Sequence, residues 1–430
     1  MAQHFFPHAH LHRSSLPLPR LLGDDADFQP EVIHQGIVQS KADEALAIPL
    51  DQGAERWLAV AEVLGEAMEG APRETALLLA QDLIQHQACT LTLSPSSPSL
   101  IKFFRHVNSV AVSLIELGFF QESMNLLKLA ISSCRAHQSS NQRLQIILPN
   151  LIDQLGALYL IQDSPQPSIP YFQEALKIFQ SFPPKIAREK NLQKQWAQCF
   201  CNYYFALRSD QPNLAFQQLR KSNQIYEKLL KQYPSDSFLI SCFVSNLFLE
   251  IKNYISEENA ARVSELCQKG FEIIKKLEKS DFLFYARSQL YLFSSLGPSE
   301  RGEYPLAIES LEKSIYFFDY ISKNSPLFNP ESLIHTFTLK YTYHKNIKDA
   351  KGAFDSLFAC FEILFYNEEI PHESKFQFCQ NYLEVWTDLF GVLGYDHESH
   401  PLWLKVCEFF RKAKESAPSD PSTDTKPPTA

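Results

Sequence analysis

The feature that most constrains this chain is a near-constant interval between small residues. Ala130, Ala175, Ser222, Gly270, Ser314 and Cys360 each sit in the second half of a helical apolar pattern, and successive members are 45, 47, 48, 44 and 46 residues apart. Three positions before them stand Leu127, Phe172, Leu219, Cys267, Leu311 and Leu357. Seven before stand Ser123, Ser168, Ala215, Val263, Ala307 and Ala353, and four after stand Cys134, Phe179, Tyr226, Ile274, Phe318 and Leu364. These offsets fall on one face of an α-helix, where small residues admit a neighbouring helix and large ones fill the groove beside it. A second apolar helix precedes each of these, and the joints carry proline or capping residues: Pro149, Pro183-Pro184, Asp210-Gln211-Pro212, Pro234-Ser235-Asp236, Ser280-Asp281, Asn329-Pro330-Glu331 and Pro371. A single helix hairpin cannot bury both its faces, so hairpins recurring about every 46 residues must stack on one another. With 13 glycines and no alternating segments bounded by Asn-Gly or Asp-Gly turns, a β architecture is disfavoured.

Several hairpins carry a more specific pattern. Ile152, Leu155, Gly156, Tyr159, Phe172 and Ala175 follow one spacing; Val107, Ala111, Leu114, Gly118, Phe120, Leu127 and Ala130 repeat it, and Gly302, Tyr304, Ala307, Leu311 and Ser314 repeat its second half. In these residues the chain resembles the tetratricopeptide-repeat (TPR) family. That family places a large residue, Leu-Gly and an aromatic in the first helix, Gly-x-Tyr at the turn, and Ala, a large residue and Ala in the second. The resemblance implies an all-α fold, a right-handed α-α superhelix of helix hairpins. The chain departs from the pattern in having Asp163-Ser164-Pro165 at one turn, in matching only the second helices of the fourth and sixth hairpins, and in a period longer than the usual 34.

The ends read differently from the middle. Residues 1–50 are rich in Pro, His, Asp and Gln without sustained periodicity, which predicts a largely disordered lead-in. Residues 51–93 form an expected N-terminal capping hairpin, with helices at about 53–69 and 73–88 around Gly70-Ala71-Pro72, and a Ser/Pro-rich linker follows it. About six hairpins are expected over 100–370, capping helices over 371–416, and a disordered tail over 417–430. No run approaches the roughly 18 to 20 uninterrupted apolar residues of a membrane span, and the start lacks the basic-then-apolar form of a secretory signal. A soluble protein with no membrane partner is expected. Nine scattered cysteines without a Cys-x-x-Cys pair predict free thiols in a reducing, cytoplasmic setting. The net charge of -9 is unevenly spread: residues 1–98 hold 13 Asp+Glu against 5 Lys+Arg, and the remaining 332 residues hold 36 against 35. A body this close to neutral lacks the strongly basic face that nucleic-acid binding needs, so no nucleic-acid partner is expected.

The constellations that would carry chemistry are weak. His4, His8, His10 and His12 cluster in the lead-in, where nothing would hold the rings as a metal site needs. Asp24, Asp25 and Asp27 lie there too, with no second acidic motif opposite them. His397-Glu398-Ser399-His400 has the wrong spacing for a helical zinc motif and runs into Pro401. Cys199 and Cys201 point to different sides of a helix. Neither a Gly-rich phosphate loop nor a Gly-x-Ser-x-Gly elbow occurs. No catalytic residue, metal or cofactor is assigned, and the chain is expected not to be an enzyme.

The TPR resemblance supplies the function expected instead: a scaffold or adaptor that takes a polypeptide partner in a groove lined by first helices. Carried across position by position, the groove would hold Arg105, Asn108 and Val112; Asn150, Asp153 and Ala157; and Phe200, Tyr204 and Arg208. Arginine for carboxylates, asparagine for peptide backbone and aromatic rings for an apolar anchor would suit an acidic-aromatic peptide. Binding of chaperone C-termini is not supported, since Asn108 and Val112 stand where the family's carboxylate clamp has Lys and Asn. A dedicated chaperone or a peptide-responsive regulator is the alternative function, an all-helical enzyme a more distant one, and exposed aromatics would support self-association.

Overall fold

The computed structural model describes residues 118–137, 142–321, 325, 327–367, 370–395 and 400–416, with isolated positions before 118. Most of the expected lead-in, the 51–93 hairpin and the 417–430 tail therefore lie outside the described residues. The chain divides into two units, residues 1–246 and 247–430.

The first unit contains α1 (Phe120–His137), α2 (Gln142–Ile161), α3 (Pro165–Ser181), a short α4 (Pro184–Ala187), α5 (Lys190–Leu207) and α6 (Pro212–Gln232). Helix α7 (Ser237–Ser256) runs across the division. The second unit continues with α8 (Ala260–Ile274), α9 (Asp281–Ser294), a short α10 (Leu296–Glu300), α11 (Tyr304–Phe318), α12 (Pro330–Asn346), α13 (Ala350–Tyr366), α14 (His372–Leu393) and α15 (Pro401–Ser416). No strand occurs among the described residues. Within the first unit α1, α2, α3, α5 and α6 pack in chain order and α2 also packs on α5, so these two first helices lie side by side as in a stack; within the second unit α8, α9, α11, α12, α13 and α14 pack in chain order and α15 packs on α13.

The joints act where the residue types require. Proline opens α3, α6, α11 and α12 at positions whose N–H would have no intrahelical partner. Side chains of Asn259, Ser280, Asn329 and Asp349 accept the first free N–H groups of α8, α9, α12 and α13. Gly302 takes φ +75° in the turn before Tyr304, a left-handed conformation that glycine adopts at little cost. Pro149 departs from expectation: it lies inside α2 rather than at a joint. Packing of α2 against α1, α3 and α5 holds the helix continuous across a ring that would break an isolated one.

All six small residues of the repeat are buried, on α1, α3, α6, α8, α11 and α13. Their chemistry recurs too. Ser222 Oγ donates to the Ala197 carbonyl at 2.7 Å, Ser314 Oγ to Ser288 at 2.9 Å and Cys360 Sγ to Ile334 at 3.5 Å, each reaching the backbone of the preceding first helix. Only a short side chain allows that approach. At Gly270 a Cβ would come within 2.6 Å of Leu290 Cδ2, so the leucine would have to shift to admit even one carbon. The second unit's largest core gathers around Trp386, fully buried, with Phe361 stacked at 4.2 Å and Phe390 and Trp403 close by.

Candidate protein-binding surfaces

Of the nine positions expected to line a groove, Arg105, Asn108 and Val112 lie outside the described residues. Asn150 and Ala157 are half-buried on α2, and Arg208 is exposed at the C-terminal cap of α5, its guanidinium 5.4 Å from the Phe205 ring centre. Asp153, Phe200 and Tyr204 are instead interior, at 3%, 5% and 7% exposure. Asp153 and Tyr204 are thus packed inside rather than presented to a partner, while Phe200 keeps only an edge, on a cleft between α5 and α6. An i, i+4 aromatic pair reads the same in sequence whether it faces a groove or a neighbouring helix. Here Phe200 stacks on Trp196, which stacks on Phe179 of α3.

Asp153 joins α2 to α5. Asn202 Nδ2 lies 3.1 Å from both carboxylate oxygens and donates to them, and the Cys199 thiol also bonds the group. Burial outweighs these bonds and pushes the carboxyl up to about 7. Solvent reaches another stripe of α5, where exposed Gln198 donates to Asn202 Oδ1 at 3.0 Å.

On a different stripe again, Gln193, Trp196 and Phe200 of α5 meet Lys221, Gln224, Ile225 and Lys228 of α6 around a cleft of about 240 Å³. Its apolar lining is Trp196, Phe200 and Ile225. Lys221 holds its ammonium 5.5 Å over the Phe200 ring and donates to Gln218 Oε1 at 3.4 Å. Two other lysines of this hairpin are committed elsewhere: Lys190 pairs with Asp236 at 2.5 Å, and Lys194 sits 3.8 Å over the Phe238 ring.

In the second unit, α8, α9 and α11 share an aromatic surface. Phe271 packs on Tyr291 at 4.8 Å, Tyr291 stacks on Phe317 at 5.7 Å, Phe317 meets Tyr316, Tyr316 meets Tyr320, and Tyr320 meets Phe284 at 5.2 Å. Arg287 and Lys313 lie over Phe317 and Tyr291 at 5.1 and 5.9 Å. Tyr316 and Tyr320 remain 55% and 51% exposed, and Leu306, earlier on α11, is 52% exposed. The hydroxyls of the two tyrosines bond each other at 2.9 Å. Sequence reading missed this surface because its residues come from three helices whose relative rotation only packing fixes.

Among the described residues no three His, Cys, Asp or Glu side chains gather as a metal-binding group. The histidines at 4, 8, 10 and 12 and the aspartates at 24, 25 and 27 lie outside those residues. Burial pushes the thiols of Cys134, Cys201, Cys267, Cys360 and Cys379 up to about 12, so at neutral pH they are packed thiols rather than nucleophilic thiolates. Two described helices, α2 and α7, contain stretches long and apolar enough to cross a membrane by length and composition; about half of each stretch is buried within the protein, as in a core helix.

No protein-family model matches the chain, and no curated protein matches it in sequence. Solved structures do resemble it. The apo form of RapI aligns with a TM-score of 0.50 over 90% of this chain and 99% of RapI, at 14% identity. Acl4, the assembly chaperone of RpL4, aligns at 0.43 over 73% of this chain and 97% of its own, at 11% identity. BtubC from P. vanneervenii aligns at 0.42 over 59% and 94%, at 13% identity. The likeness to RapI shows the fold alone: an all-α, TPR-like repeat of helix hairpins.

Proposed function

We propose that the chain is a non-enzymatic scaffold that binds a partner polypeptide and works in the cytoplasm. The observation that carries this reading is the aromatic surface on α8, α9 and α11. Rings packed on one another cost little entropy to present, and Tyr316, Tyr320 and Leu306 leave apolar area in water that a folded partner would cover. Arg287 and Lys313 at its edge add directional contacts to such a partner. The repeat fold supports the reading as well, since stacked hairpins supply extended surfaces suited to binding.

The test is site-specific photo-crosslinking in cells. A benzoyl-phenylalanine in place of Tyr316 is expected to form discrete adducts with another polypeptide, and one in place of exposed Gln268 on α8 is not. Tyr320→Ser in the same chain should reduce the adducts at least tenfold while leaving the helical signal intact. Equal adducts at both positions, or adducts indifferent to Tyr320→Ser, would remove this surface from the function.

A further inference from the structure

We infer that the cleft between α5 and α6 is a second, separate docking point, and that its occupant is an acidic peptide segment carrying one apolar anchor residue. The inference rests on the scaffold reading and assigns a partner chemistry that the aromatic surface of the second unit does not.

Three observations set that chemistry. The first is size. At about 240 Å³ the cleft is below the roughly 300 to 1,000 Å³ that houses a whole small molecule, and it suits one or two side chains. The second is the apolar lining, where Trp196, Phe200 and Ile225 offer aromatic and aliphatic surface, with exposed Gln224 at hand for a peptide backbone while Gln193 Nε2 is held by the Ala187 carbonyl at 3.1 Å. The third is charge. Residues 184–232 hold nine Lys/Arg against three Asp/Glu in a chain whose net charge is -9. Among the described residues neither Lys221 nor Lys228, the two lysines on the cleft, has a carboxylate partner, whereas Lys190 spends its charge on Asp236.

The spacing sharpens the ligand. Lys221 and Lys228 are seven residues apart on one helix, a separation of about 10 Å along its axis at ~1.5 Å per residue. An extended peptide covers that in about three residues. The matching segment therefore carries an apolar residue flanked by carboxylates within two residues on either side. Arginine- or lysine-rich segments are repelled, and a neutral apolar peptide lacks the pairing that fixes its register.

The experiment uses the full chain and fluorescein-labelled synthetic peptides read by anisotropy. One peptide holds Glu-Glu-Phe-Glu-Glu within a Gly/Ser context, a second replaces Phe by Ser, a third replaces each Glu by Lys, and a ten-nucleotide oligo-dT tests whether base stacking on the same aromatics is the real use. The first peptide should bind at least tenfold more tightly than the other three ligands. It should weaken at least tenfold in the Lys221→Glu/Lys228→Glu chain, whose two substitutions lie at exposed positions, and again on raising salt from about 50 to 500 mM. Comparable binding of the Lys peptide or of the Ser peptide, tighter binding of oligo-dT, or indifference to the charge reversal would each overturn the assignment. Crosslinks at Tyr316 are scored in parallel: a failed cleft with intact crosslinks refutes this docking point alone, and loss of the crosslinks' specificity refutes the scaffold reading.

Discussion

Replacing Asp153 by Asn should change how the stability of the protein depends on pH. The carboxyl stands at about 7 in the folded chain, against roughly 3.9 for an unperturbed aspartate. A raised folded-state value means that the native protein holds a proton which the unfolded chain releases. Stability from this group is therefore complete below about pH 4, falls as pH rises, and is fully lost above about 7. Three pKa units at ~1.4 kcal/mol each amount to about 4 kcal/mol. Asparagine keeps the site neutral at every pH, and its amide oxygen can still accept the Asn202 Nδ2 that now lies 3.1 Å from the carboxylate oxygens. The variant should match the parent near pH 4 and exceed it by about 4 kcal/mol at pH 8, the gap opening at up to ~1.4 kcal/mol per pH unit. Urea unfolding followed by circular dichroism at pH 5, 6, 7 and 8 measures this. With a slope of about 1 to 3 kcal/mol per molar urea, the midpoints should separate by at least ~1 M at the alkaline end. A gap constant across this range, or one that narrows as pH rises, would refute the reasoning, because it would mean that Asp153 does not bear the cost of burial.

Gly156→Ala should destabilise by about 1 to 3 kcal/mol, although alanine is the better helix former, because a Cβ there meets Phe172 Cε1 at 2.8 Å; a raised melting temperature would contradict the close contact of α2 and α3. Trp386→Ala should cost about 3 to 5 kcal/mol in the second unit, seen as a lowered thermal midpoint. Asn246→Ala removes the amide that donates to Ser222 Oγ at 2.9 Å and accepts from Cys201 Sγ at 3.2 Å, and should cost about 1 to 3 kcal/mol by urea unfolding.

Much of the architecture was legible because the repeat writes itself in residue size. Ser222, Ser314 and Cys360 share a short donor side chain and Gly270 has no side chain at all, yet each stands where one helix comes within hydrogen-bonding or van der Waals reach of another's backbone or side chains. Pro149 was less legible, since the cost of a proline inside α2 is borne by contacts with helices distant in sequence. The groove positions fared worse still. Asn150, Asp153 and Ala157 share a stripe of α2, but Asp153 is sealed by Asn202, a residue 49 positions away, and nothing in its local sequence signals that.

Composition, periodicity and capping residues thus determined helices, their pairing into hairpins and the interval at which the hairpins recur, all of which follow from short-range sterics and the burial of one face per helix. Which stripe of each helix meets water was decided by tertiary packing alone. A rotation of one residue, about 100° on an α-helix, exchanges a solvent-facing aromatic for a core one. That rotation put Phe200 and Tyr204 inside, left Tyr316 and Tyr320 outside, and set Lys221 and Lys228 at the mouth of a cleft.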